Sequence, residues 1–178
     1  FDWAGSENLA DARVLYPAPT RIKDKSGVAI GYMSSVVMPV EVRAKDPARR
    51  VKLAVTMEYG VCLDICVPVE AKLTLDLPPS ASAPPSIPAL GVALAQVPRP
   101  GGKRRPGDPL VTSVRSTAGA LLLTVSAVDA SKPVDIFVET PDGSYIASPD
   151  GIVPKNGIAE FRIPVAAADF AGLVGKPL

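Results

Sequence analysis

Residues 51–77 read VKLAVTMEYGVCLDICVPVEAKLTLDL. Over 51–59, Val51, Leu53, Val55, Met57 and Tyr59 alternate with Lys52, Ala54, Thr56 and Glu58. Period-two alternation with one apolar face is the mark of a half-buried strand. Over 67–77, Val67, Val69, Ala71, Leu73, Leu75 and Leu77 alternate with Pro68, Glu70, Lys72, Thr74 and Asp76. The two runs match in pattern and lie a few residues apart, so an antiparallel hairpin is the economical arrangement.

Between the runs lie the chain's two cysteines, Cys62 and Cys66, spaced C-x-x-x-C. In a straight strand, residues four apart are separated by about 13 Å. A disulfide needs Cα atoms within about 7 Å. If the cysteines pair, the chain must therefore turn between them. A reversal centred on Leu63-Asp64-Ile65 would set them opposite each other at the mouth of the hairpin. One helical turn would also bring them close, but the β pattern on both sides argues against it. Such a bridge closes a very small loop, for which loop entropy supplies less stabilisation than for a long one. Spacing alone leaves four readings open: a structural staple, two buried free thiols, a redox pair, or a Cu(I) thiolate site helped by Met57 or Met33.

Working outward, residues 35–42, SVVMPVEV, read as a strand interrupted by Pro39, which suits an edge position or a bulge because proline cannot donate to a ladder. Residues 78–109 change character. PPSASAPP and PRPGGKRRPGDP have linker composition, and IPALGVALAQV at 87–97 between them predicts a short helix weakened by Gly91. Beyond the linker, TSVRS, ALLLTVSAV, PVDIFVET and GIAEFRIPV are candidate strands, with Pro141-Asp142-Gly143 and Lys155-Asn156-Gly157 as turn signals. Residues 166–172, AAADFAG, suggest a helical turn. With 20 prolines in 178 residues, many of them between apolar runs, the chain reads as short strands joined by turns, as in a β-sandwich.

Composition narrows the chemistry. Hydrophobic content of 47% allows packed cores. A net charge of +1 gives no reason to expect nucleic acid as a partner, and the basic run Lys103-Arg104-Arg105 between Gly102 and Pro106 reads as solvated linker charge. The absence of histidine removes a serine triad, a zincin and a two-His iron site from within the chain. No P-loop, G-x-G-x-x-G, G-x-S-x-G or S-x-x-K motif is present. No cofactor or metal site is expected, apart from the copper alternative. No apolar run reaches the about 18 residues needed to span a bilayer. The chain begins at Phe1 and reads as starting after processing or trimming.

YGVCLDICVP at 59–68 resembles the cysteine motif of the N-terminal periplasmic domains of DsbD-like and ScsB-like disulfide reductases. FDWAGSENL at 1–9, VLYPAPTR at 14–21 and GYMSSVVMPVEV at 31–42 are similar to family segments in the expected order, and GVALAQVPRP at 91–100 to the stretch that follows. Residues 110–178 resemble, less specifically, the downstream part of ScsB-like members. The resemblance implies an all-β, immunoglobulin-like β-sandwich, with two β subdomains joined by a Pro-rich linker carrying a short helix. These are a redox domain at 1–77 lacking its first strands, the linker at 78–109, and a truncated second β domain at 110–178. It also implies a periplasmic component of thiol–disulfide interchange, of the protein-disulfide reductase kind, in which Cys62 and Cys66 exchange electrons. They would arrive from a membrane-embedded reductase domain and leave to thioredoxin-fold periplasmic proteins. The best-known DsbD domains carry a longer insertion between their cysteines, so the C-x-x-x-C spacing fits the ScsB-like branch. That departure bears on which partners dock and on whether an aromatic cap covers the pair.

Three further residues are candidates for supporting roles. Asp64 suits a turn. Next to the sulfurs, its carboxylate would also raise a thiol pKa, or carry a proton during exchange. Tyr59 and Tyr32 suit strand packing and, alternatively, shielding of the pair from stray oxidants.

Overall fold

The structure is a computed structural model, and it describes residues 1–25, 27–63, 65–79, 87–127, 129, 131–138, 146 and 148–165. The architecture is all-β and immunoglobulin-like, with one short α-helix and a single 3-10 turn among the described residues. The chain divides into two compact units, Phe1–Pro98 and Arg99–Leu178.

The first unit is built around the hairpin of β5 (Val51–Cys62) and β6 (Cys66–Leu77). Its register runs without a bulge from Val51↔Leu77 to Cys62↔Cys66. Because directly opposed residues share a face, this register stacks Leu53/Leu75, Val55/Leu73, Met57/Ala71, Tyr59/Val69 and Val61/Val67 in one apolar row. The other row holds Lys52/Asp76, Ala54/Thr74, Thr56/Lys72, Glu58/Glu70, Gly60/Pro68 and the cysteine pair.

The outer edge of β5 is covered by the start of the chain. Asp2 pairs with Thr56 and Glu7 with Lys52 in isolated bridges. Between these bridges the Ser6 hydroxyl donates to Ala54 O (3.0 Å), and the Ala54 amide donates back to Ser6 Oγ (2.9 Å). A side chain here fills a gap in the backbone ladder. Next come β1 (Leu9–Val14) and β4 (Val40–Ala44), antiparallel with a register shift between Leu9 and Asp11. Their partners Arg13 and Glu41 form a 2.8 Å ion pair, but both side chains are well exposed, so it contributes little to stability. The short hairpin of β2 (Thr20–Asp24) and β3 (Gly27–Gly31) lies between them in sequence.

Asn8 holds the turn that precedes β5. Its Nδ2 donates to Asp46 O, Arg49 O and Arg50 O at 2.9–3.2 Å, and its Oδ1 accepts from the Asp46 amide at 2.8 Å. Its backbone sits at φ 59°, a left-handed conformation that asparagine tolerates better than most side chains.

The strand expected over 35–42 is shorter than its apolar run: the extended pairing begins only at Val40. Pro39 is buried, and its carbonyl accepts from the Leu15 amide at 2.8 Å just before β4 begins. Having no amide of its own, Pro39 cannot extend the ladder backwards. The expected helix is present as α1 (Pro88–Gln96), with proline in its first turn and Ala93 buried. The Ala18 amide donates to Gln96 O (3.1 Å), so the helix is tied into the first unit rather than lying free in a linker.

In the second unit, β7 (Leu110–Thr117), β8 (Ala120–Ser126) and β9 (Ile158–Pro164) form an antiparallel sheet with β8 in the centre. β9 alternates strictly between exposed and buried positions, putting Ala159, Phe161 and Ile163 inside. One cluster gathers Val125, Ala127, Val134, Ala159 and Phe161, and a second gathers Leu121, Ile146, Ile163 and Val165. Lys155-Asn156-Gly157 turns as expected, with Asn156 at φ 53° and Gly157 at φ 76°, and Lys155 and Ile158 exchange backbone hydrogen bonds across it. The candidate strand at 133–140 is reduced to a single bridge, Val134↔Ile152, among the described residues. The turn signal at 141–143 and the helical turn at 166–172 lie outside the described residues.

Candidate functional site

Cys62 and Cys66 form a disulfide with their Cα atoms 4.0 Å apart. They are the last register pair of the β5–β6 hairpin. The turn expected between them is present, and the Leu63 amide donates to Ile65 O at 3.2 Å. Two long strands in one register bring the sulfurs together, and the β geometry on both sides settles between the two turns that spacing alone allowed. Both cysteines are exposed.

The two sulfurs have different surroundings. Cys66 borders a shallow recess of about 660 Å³ with Glu58, Tyr59, Gly60, Pro68, Val69 and Glu70. Glu58 and Glu70 face each other across the hairpin, an unfavourable like-charge pair, and Lys72 sits 2.9 Å from Glu70 to offset it. Gly60 and Pro68 oppose each other between the acidic pair and the disulfide. Cys62 borders a larger, mainly apolar cavity of about 930 Å³. Its walls include Val55, Met57, Leu73 and Leu75 from the hairpin, and Phe1 and Trp3, whose rings stack at 6.1 Å.

Tyr32 and Ser34 border the same cavity as Cys62. Tyr32 is half-buried, and its hydroxyl donates to Pro17 O at 2.8 Å. Ser34 holds φ 63°, a sparsely populated conformation for a residue with a side chain. Tyr59 is 43% exposed and borders both depressions. Asp64 lies outside the described residues. Met33 is exposed, while Met57 and Met38 line the apolar cavity. Among the described residues, no group of three or more His, Cys, Asp or Glu is gathered to hold a metal ion, and no helix is long and apolar enough to cross a membrane.

Several neighbours of the pair carry no signal in the sequence that singles them out. Glu58, Gly60, Pro68 and Glu70 reach the site only through the cross-strand register. That register follows from counting back from the cysteines once they are taken as opposed. Ser34 is equally unmarked, since nothing local assigns a serine to a left-handed backbone.

These features define a β-domain whose cystine bridges the turn end of a hairpin. Residues 1–78, under half of the chain, match the family described as thiol:disulfide interchange protein DsbD, N-terminal. The fold is similar to the crystal structure of the N-terminal periplasmic domain of ScsB from Proteus mirabilis, with a TM-score of 0.57 and 17% identity. That likeness covers 98% of this chain and 66% of that one, so the present chain spans just under two thirds of the solved domain. No curated protein matches the chain.

Proposed function

We propose that Cys62 and Cys66 are a reversible redox pair for thiol–disulfide exchange, working in the bacterial periplasm. The observation that carries this reading is the place of the disulfide, exposed at the tip of a hairpin whose register the remaining cross-strand pairs already hold. As a staple it has little to do: in the loop-entropy model a closure this short supplies about 2 kcal/mol, against about 3 kcal/mol for fifteen residues. Accessible disulfides of this kind are the ones that exchange. The family match over residues 1–78 points the same way.

In the donating direction, a Cys66 thiolate attacks one sulfur of a partner disulfide. This forms a mixed disulfide and releases the other partner sulfur as a thiolate, which takes up a proton. The Cys62 thiolate then attacks the Cys66 sulfur. The Cys62–Cys66 bond forms, the second partner thiol leaves, and two electrons have passed to the partner. Cys66 is assigned the outward role because its recess is the more open of the two and is bordered by Glu58 and Glu70, whereas Cys62 borders the deeper cavity walled by Phe1, Trp3 and the hairpin's apolar row. Partners of the thioredoxin fold as acceptors, and a membrane-embedded reductase domain as donor, complete the relay. Tyr59 and Tyr32 are assigned to limiting access to the sulfurs from the sides.

Single-cysteine variants test the reading. Cys62→Ala is expected to trap thioredoxin-fold proteins as mixed disulfides through Cys66, detected by non-reducing electrophoresis and mass spectrometry, and Cys66→Ala to trap far less. If neither variant captures such a protein, the relay is wrong.

A further inference from the structure

Among the described residues, the two most exposed large apolar side chains are Leu63, at 89%, and Ile65, at 74%. They are the chain neighbours of Cys62 and Cys66 respectively. A single exposed leucine is unremarkable on a protein surface. Two branched aliphatic side chains in the one turn that separates the cysteines are a different matter, because the fold makes no use of either. We infer that Leu63 and Ile65 are specificity-determining contacts that select protein disulfides bordered by apolar residues over small, polar disulfides. The inference rests on the thiol–disulfide reading above and adds the class of substrate to it.

Geometry requires any partner to meet these side chains. A mixed disulfide holds the two cysteine Cα atoms within about 7 Å of each other. Consecutive Cα atoms are only about 3.8 Å apart, so a partner bonded to Cys66 stands beside Ile65, and one bonded to Cys62 beside Leu63. Its residues next to the reacting cysteine therefore cover at least one of the two. Apolar neighbours gain by removing that surface from water, whereas polar neighbours lose their own hydration for no return. A small polar disulfide covers little of either side chain and gains nothing.

The tip is also ready to bind. The hairpin register, the disulfide and the Leu63 to Ile65 backbone hydrogen bond already hold the backbone of Leu63 and Ile65, so little ordering of these two residues is needed when a partner arrives. The same side chains select in both directions of electron flow, since the mixed disulfide is common to both.

The test uses the whole chain, reduced, and three probes. Two are synthetic nonapeptide homodisulfides with a central cysteine, flanked on each side by two leucines in one and by two serines in the other. The third is 2-hydroxyethyl disulfide. Rates of oxidation of the Cys62/Cys66 pair are followed by mass spectrometry after acid quenching. The leucine-flanked peptide is expected to react at least about tenfold faster than the serine-flanked one, as burial of one aliphatic side chain allows. In Leu63→Ser/Ile65→Ser that preference should fall to within about twofold, with the 2-hydroxyethyl disulfide rate unchanged, because the two aliphatic side chains stand beside the reacting sulfurs and take no part in the exchange itself. Equal peptide rates in the unsubstituted protein, or a preference that survives the double substitution, overturn the inference and leave the exchange reading standing. No reaction with any of the three probes overturns both.

Discussion

Gly157 shows how much a single backbone conformation can demand. It holds φ 76°, and a Cβ there would stand 3.3 Å from Ala127 O. Gly157→Ala is expected to cost about 1–2 kcal/mol, seen as a lower urea midpoint, because a left-handed backbone and a crowded carbonyl act together. This position is readable from the sequence, since Asn-Gly between two strand-like runs is a strong local turn signal. Asn8 is not. Its partners lie 38 to 42 residues away, and nothing in FDWAGSENL announces that its side chain will hold a distant turn. The cysteines fall between these cases. Their opposition can be derived as a condition of pairing, but spacing leaves open whether they pair at all.

Among the elements, the β5–β6 hairpin is the most legible. Its alternation is long and local, and turn and strands agree. Both strands run a little further toward the cysteines than the alternating runs alone indicate, to Cys62 and from Cys66. The hairpin should not depend on its disulfide. Reduction is expected to lower stability by only about 2 kcal/mol, the size of a short loop closure, when urea unfolding is compared with and without dithiothreitol. Amide exchange at Val51–Met57 and Ala71–Leu77 should remain slow in the reduced protein. Loss of protection along the whole hairpin on reduction would instead make the bridge a staple. β4 is harder to place because SVVMPVEV is apolar on both sides of Pro39, and only the proline's position against β1 determines where pairing starts.

At the scale of the whole molecule, burial is uneven. Among the described residues, Phe161 and Ile163 are the largest fully buried side chains, and both lie in the second unit. Phe161→Ala is expected to destabilise that unit by about 3–5 kcal/mol, the usual cost of removing an aromatic ring from a closed core. The first unit keeps Val51, Leu53 and Ala93 buried but leaves Leu73 and Leu75 more than half exposed on the hairpin's apolar row. In the same Phe161→Ala protein, the rate at which dithiothreitol reduces Cys62–Cys66 should be unchanged, because every residue bordering the two sulfurs belongs to the first unit.

The amino-acid sequence by itself determined which residues form the central hairpin, which of its faces is apolar, and that paired cysteines must sit at its mouth. Each follows from strand period and chain length, which are local properties. Only the tertiary structure decided how much of the apolar row is buried, that α1 is tied to the first unit, and that the two sulfurs have unlike neighbours. It also left Leu63 and Ile65 uncovered beside the disulfide. Periodicity tells a strand which way its side chains point. What stands opposite them depends on residues tens of positions away, and that packing makes the disulfide at the tip of the hairpin accessible.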